Sequence, residues 1–348
     1  MAVVIDSKID GMSQAGGRAF SHPIGGVMMN PALTLVLGVL LFVGAGGLAA
    51  RSLITSDAPT CTGRSRFAYV FPTKELREHD IGVLQGGRRF RITHDHVSSD
   101  PSFSPDGERL VFSTARDGTY DPEVGPDHLA LFTASSTGGE ERRLTHGPYD
   151  WQPDWSPNGS TIVFIRGAYG TRQQLWVVDE GSGAERRIFS APTGKSQGEP
   201  ARLHSPVWSP DGRRVAFAVE QLRRDEDYFE LWLINANGAG ARRVTALEAG
   251  YLLDWSPDGE RIAYSGPAFF VGVERVRVTS LDGLDRSTLG TGTSPKWSRD
   301  GDWIAYLTRA PGNTWGIAME PSSVGPAQPV PGSPSFPGEP WGPLAWTC

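Results

Sequence analysis

Histidine and carboxylate are the residue types here that could hold a metal or move a proton. His94 and His146 each follow a threonine, Thr93 and Thr145, at one position of a repeated pattern; His96 lies near the first, and His204 stands four residues before Trp208. Residues at repeat-consensus positions serve turns and strand ends, so no metal site and no cofactor are expected from these histidines. Gly-x-Ser-x-Gly is absent, which removes the nucleophile turn of an α/β-type serine hydrolase. The glycines belong to turns rather than to a phosphate-cradling loop that opens a helix. Two cysteines cannot make a four-cysteine zinc site or a cysteine-held iron–sulfur cluster within one chain.

The elements that would position such residues are visible as a repeat. Phe103-Ser104-Pro105-Asp106-Gly107, Trp155-Ser156-Pro157-Asn158-Gly159, Trp208-Ser209-Pro210-Asp211-Gly212, Trp255-Ser256-Pro257-Asp258-Gly259 and Trp297-Ser298-Arg299-Asp300-Gly301 recur every ~40–55 residues, the period of a repeat array. Each copy ends one apolar stretch and begins another, such as Thr161-Ile162-Val163-Phe164 or Arg261-Ile262-Ala263-Tyr264, so it is a hairpin turn. Serine caps the turn through its hydroxyl, proline presets φ, and the glycine takes the left-handed end. Gly107, Gly159, Gly212, Gly259 and Gly301 are therefore read as structural.

Within a repeat the order is constant: an inner strand ends at the aromatic, a second follows the turn, and a third and a fourth come after. Examples of the last two are Leu175–Asp179 with Glu185–Ile188, and Leu231–Asn235 with Arg242–Val244. Four antiparallel strands per unit make one blade of an all-β propeller. Five full motifs give five blades, and the chain ends supply the sixth. Leu344–Cys348 reads as an inner strand that joins Arg66–Val70, Ile81–Leu84 and Arg89–Thr93, which removes the open edges of a linear array.

The repeat resembles that of the TolB-type propellers, in which Pro-x-Trp-Ser-Pro-Asp-Gly is followed by an Ile-Ala-Phe strand and a later Leu-Thr. Pro153-Asp154-Trp155-Ser156-Pro157, Pro206-Val207-Trp208-Ser209-Pro210 and Leu144-Thr145 carry the resemblance, which covers about residues 64–348. No counterpart of the separate N-terminal α/β domain of TolB is visible. Similar repeats occur in propellers of prolyl-oligopeptidase-like and dipeptidyl-peptidase-IV-like enzymes, whose hydrolase domain is not expected here. The resemblance implies a propeller that acts by binding protein or peptide partners.

The remaining sequence bounds the setting. The chain has 348 residues, 43 Gly, 27 Pro, 11 Trp and a formal net charge of −6. Lys8 and Arg18 balance Asp6 and Asp10, so the region beyond residue 50 carries the whole negative charge, and nucleic acid is not an expected partner. Residues 1–30 read as a flexible cytoplasmic tail. Residues 31–50 carry no charge and are long enough to cross a bilayer as a helix, and 51–64 read as a linker. The expectation is a single-pass membrane anchor with the propeller, 65–348, extracytoplasmic; cleavage as a signal peptide, giving a secreted protein, is the alternative.

A binding site is expected where the inner strands begin. Ser99, Trp151, His204, Tyr251, Thr293 and Gly342 stand four residues before each inner-strand aromatic and should ring one mouth of the channel. Asp100, Asp150, Gln152 and Trp341 flank them, and two long loops, 115–128 and 221–230, are expected on the same face. Aromatic residues around a funnel with carboxylates nearby suit recognition; the competing reading is that Trp151 and Tyr251 plug the channel. The function expected is a protein- or peptide-binding or scaffold module, with a propeller lyase or hydrolase on saccharide or peptide as the alternative. Cys61 and Cys348 fall at the place where the ring is cut, and an extracytoplasmic location would let them form a disulfide.

Overall fold

The computed structural model describes residues 65–347, apart from 74–77, 119, 122–124, 127, 195–199, 222–227, 248–249, 267–273, 311–313, 324 and 338–341. The segment 31–50, Cys61, Cys348, Trp341 and much of both long loops lie outside the described residues.

The strands form six blades around an axis, and no α-helix occurs among the described residues. Blade I joins Ala345–Thr347 to Arg66–Pro72, His79–Gln85 and Arg88–Arg91. Blade II holds Ser98–Phe103, Arg109–Thr114, Ala130–Ser135 and Arg142–Arg143, with a small hairpin, Tyr120–Asp121 with Gly125–Pro126, beside it in sequence. Blade III is Asp150–Trp155, Thr161–Arg166, Gln174–Asp179 and Glu185–Ser190; blade IV is Arg202–Trp208, Arg214–Gln221, Tyr228–Asn235 and Arg242–Leu247. Blade V is Leu252–Trp255, Arg261–Ser265, Arg275–Ser280 and Arg286–Thr291. In blade VI the outer edge is split: Thr293–Trp297, Trp303–Ala310 and Thr314–Pro321 are followed by two short strands, Gln328–Pro329 and Phe336–Pro337, which both pair with Thr314–Pro321.

Closure follows the sequence expectation. Arg66 pairs with Thr347, Phe67 with Trp346 and Ala68 with Ala345. Ala345–Thr347 also lies against the inner strands of blades II and VI, so the ring has no open edge on the axis. Arg66 ties the seam from the outside, donating to the carbonyl of Gly107, to Glu108 and to the Ser136 hydroxyl.

The core sits between blades. Each second strand is covered on both faces, which is why it reads as a continuous apolar run: Ile162, Val163, Phe164 and Ile165 are all fully buried. Val163, Ile165 and Leu175 pack with Leu203, Val215 and Phe217 of the next blade in one cluster. The interior is close-packed, so small residues such as Ala216, Ala218 and Ala263 appear where neighbouring sheets approach.

The turn motif is one hydrogen-bonded unit. The Ser104 hydroxyl accepts the N–H of Arg109 at 2.9 Å and donates to Asp106 at 2.6 Å, while the Gly107 N–H returns to the Ser104 carbonyl. The same bonds recur at Ser156, Ser209, Ser256 and Ser298. All five glycines have φ between +67° and +80°, where a Cβ is disfavoured. The Leu-Thr element has a similar role: the hydroxyls of Thr93 and Thr145 accept the third-strand N–H groups of Ile81 and Leu131.

Candidate binding mouth and axial channel

The inner strands carry a feature that the turn pattern does not announce. In blades II, III, IV and VI the residue before the inner-strand proline has positive φ: Asp100 (+53°), Gln152 (+49°), Ser205 (+44°) and Ser294 (+57°). A residue before proline is normally extended, and the left-handed region is costly for a residue with a side chain. Each of the four lies in a β-bulge of its inner strand. Blade V, with Leu252-Leu253 and no proline, keeps a regular register.

The bulges are tied from blade to blade. The Asp100 carboxylate accepts the N–H of Gln152, and the Gln152 side chain accepts the N–H of Ser205 at 2.7 Å. The Ser265 hydroxyl accepts the N–H of Ser294 at 3.0 Å. These bonds form a collar between the mouth and an axial cavity of about 220 Å³.

Three ionisable side chains meet inside that cavity. Asp154 accepts the N–H of Trp208 at 2.9 Å and the Ser102 hydroxyl at 3.1 Å. Asp254 accepts the N–H of Trp297 at 2.7 Å and pairs with Lys296 at 3.1 Å. Burial pushes the Asp154 carboxyl up to about 6; the Lys296 charge and the Trp208 N–H oppose that shift, and Asp254 adds to it. Burial likewise raises Asp254, against Lys296. Burial works against the charge of Lys296, but the two aspartates outweigh it and hold the ammonium above its ordinary range.

On the other side of the collar the strand starts and the 167–173 loop build the mouth. Trp151 contacts Tyr169 at a ring separation of 5.2 Å and meets His204 edge-on at 6.2 Å. His204 stacks on Tyr251 at 4.1 Å and 24°. His204 Nε2 lies 2.8 Å from Glu220, while Nδ1 is buried without a partner. Burial lowers the His204 imidazole, and the Glu220 carboxylate opposes it. Arg202 sits over the Tyr169 ring at 5.4 Å and 3.7 Å from Glu220. Both tyrosine hydroxyls are pushed well above their ordinary range, first by desolvation and then by their surroundings. Asp100 and Glu220 act on Tyr169, and Tyr169, Glu220, Asp100 and Glu274 act on Tyr251.

No family model matches the chain. An uncharacterized protein of Agrobacterium fabrum is 29% identical over 234 residues, 62% of this chain and 71% of that protein. The Tol-Pal system protein TolB of Anaeromyxobacter dehalogenans is 30% identical over 128 residues, 36% of this chain and 26% of TolB. The crystal structure of TolB from Acinetobacter baumannii superposes with a TM-score of 0.58 at 16% identity, covering 82% of this chain and 68% of that one. The chain is a TolB-like six-bladed β-propeller. The matched stretch spans about a quarter of the Anaeromyxobacter TolB, and the likeness is one of fold.

Within this TolB-like propeller, the residues expected at the mouth divide into two groups. Trp151, His204, Tyr251 and Asp100 come together, but Trp151 and His204 are 6% and 2% exposed and form the floor rather than the rim. Gln152 belongs to the collar. Asp150 is fully buried, its carboxylate held by Arg166 at 2.6 and 2.8 Å, with Glu185 on the same guanidinium and the Trp176 ring 4.6 Å from it. It is committed to that ion pair. Thr293 is likewise buried, donating to the Gly266 carbonyl at 2.6 Å. His94 and His146 are exposed, and among the described residues no group of three metal-ligating side chains converges.

Sequence reasoning missed the mouth residues Arg202 and Glu220 and, above all, Tyr169. It is 52% exposed and stands at the rim. Its loop is short, and one tyrosine between glycines gives no periodic signal. Asp154, Asp254 and Lys296 did leave a trace: each is a charged residue placed just before the aromatic, in a strand otherwise flanked by proline and apolar residues.

Proposed function

We propose that this protein is a membrane-anchored, extracytoplasmic binding module whose propeller mouth takes a protein or peptide partner. The aromatic mouth carries the reading: Tyr169 exposes half its surface over a floor of Trp151, His204 and Tyr251 held rigid by stacking. Rigid aromatic anchors that lose little side-chain entropy are what interfaces favour. The uncharged segment 31–50 supports the anchor, and similarity to proteins named for the Tol-Pal system supports an envelope setting. Of the groups an enzymatic reading would draw on, His204 is 2% exposed and Asp150 is committed to Arg166, which favours binding over catalysis.

The test is capture from detergent-solubilised membranes with the full chain and its Tyr169→Ala variant as baits. A partner retained by the parent and lost by the variant supports the mouth. An unchanged partner set with the variant overturns it.

A further inference from the structure

The mouth has a chemical polarity that narrows the partner. Glu220 Oε2 lies on the Nε2 side of His204, so that nitrogen carries the proton and donates to the carboxylate. In the neutral ring Nδ1 is then a lone pair, and it is buried with no donor facing it. The donors to the Asp100 carboxylate are neutral, the Ser99 hydroxyl at 3.1 Å, the Gln152 N–H and the Ser113 hydroxyl beside it, and no cation pairs with it among the described residues. Glu220 and Glu274 complete three carboxylates that act on the two mouth tyrosines. Against them stand Arg202, beside Glu220, and Arg277, beside Glu274. Among the described residues Asp100 is then the carboxylate with no cation beside it. Burial pushes its carboxyl above the usual range, so a cation brought to it would favour its charged form. It lines the axial cavity while acting on the mouth tyrosines.

The ring faces of Tyr169, Trp151 and Tyr251 add negative quadrupoles. The carboxylate and the exposed π-face of Tyr169 ask for the same complement: a cation that brings N–H donors. The protein already shows the mode once, because the Arg202 guanidinium lies over Tyr169.

Resting on the mouth being the partner site, we propose that it recognises a basic side chain of the partner, with guanidinium the best fit. Guanidinium is planar, carries five donors and stacks on aromatic rings, whereas an ammonium is a compact, strongly hydrated point charge. The partner would present an arginine into the mouth, over the exposed Tyr169, its donors reaching toward Asp100.

The probes are three blocked tripeptides, acetyl-Arg-Arg-Arg-amide, its citrulline isostere and acetyl-Glu-Glu-Glu-amide, titrated into the full chain in detergent by calorimetry. The arginine peptide should bind, the neutral isostere and the acidic peptide should not, and binding should weaken as salt rises. Tyr169→Ala should cost roughly two- to fivefold, the worth of one exposed cation–π contact, while Tyr169→Phe should keep the affinity. Asp100→Asn retains an acceptor for Gln152 and suits the left-handed backbone, and should cost about fivefold through charge alone. Equal binding of arginine and citrulline peptides, or arginine binding untouched by both Tyr169→Ala and Asp100→Asn, overturns the proposal. If the acidic peptide binds in a Tyr169-dependent way, the mouth stands as the partner site and the basic ligand falls. If arginine binding behaves as expected but membrane capture ignores Tyr169, the partner-site reading falls instead.

Discussion

The ring of Pro157 packs 3.6 Å from where a Cβ would stand on Gly212, the turn glycine of the next blade. Pro105 stands in the same way to Gly159, Pro210 to Gly259 and Pro257 to Gly301. Each turn proline thus rests on the neighbouring turn, and at the seam Thr347 takes that place against Gly107. The fifth motif has Arg299 where proline is expected. Its neighbour is blade I, whose inner pair, Ala345–Thr347 with Arg66–Pro72, is closed by no such turn, so a proline there would have no glycine to cover.

Gly212 has φ +67° and a proline above it, so Gly212→Val should destabilise the propeller by about 1–3 kcal/mol, the cost of forcing a β-branched residue into this region. Gly212→Asn should cost less, because asparagine tolerates left-handed backbone. Chemical denaturation of the two variants beside the parent checks the order. Pro157→Arg should also lower stability, whereas Arg299→Pro should leave it nearly unchanged.

Asp154 makes a signed pH prediction. Its folded pKa, about 6, is above its ordinary 3.8, so the folded state holds the proton more tightly than the unfolded chain does. This residue therefore favours folding most at pH below about 4, and that contribution is lost as pH rises through 6. The stability of Asp154→Asn relative to the parent should improve between pH 4.5 and pH 7.5. Urea titrations at both values check it; a difference that moves the other way shows that Lys296 outweighs burial.

The segment 31–50 should hold the chain at a membrane. Fractionation should find the full chain in the membrane pellet, and removal of residues 1–55 should release a folded propeller. Soluble full-length expression with a mature N-terminus near Arg51 would identify a cleaved signal instead.

Cys61 and Cys348 should be linked in protein from an oxidising compartment. The register of blade I runs out at Arg66 with Thr347, one residue before Cys348 and five after Cys61. A bond there would close a loop of nearly the whole propeller, worth more than ~4 kcal/mol on chain-entropy arguments. Non-reducing peptide mapping should find the linked pair, and reduction should lower Tm. Two free thiols refute it.

Blade number, strand order and closure were legible in the sequence because they rest on local chemistry. A serine that caps a turn, a proline that presets φ and a glycine at positive φ act over five residues and repeat in register. A second strand covered on both faces is apolar throughout, and that also is written locally. The site was legible only as a set of candidates. Trp151, His204 and Tyr251 were named from their common position, yet which of them is open to solvent depends on how blades III, IV and V tilt against one another.

Only the tertiary structure decided that Asp150 turns to Arg166, that Tyr169 stands at the rim, and that Asp154, Asp254 and Lys296 share one cavity. The left-handed turn of Asp100, Gln152, Ser205 and Ser294 belongs to the same class: a residue before proline avoids that conformation locally, and only side-chain acceptors such as Asp100, Gln152 and Ser265 on other strands hold it in place. Short-range rules set the period of this chain. The meeting of side chains across the axis is set by the ring's geometry, which no spacing along the sequence encodes.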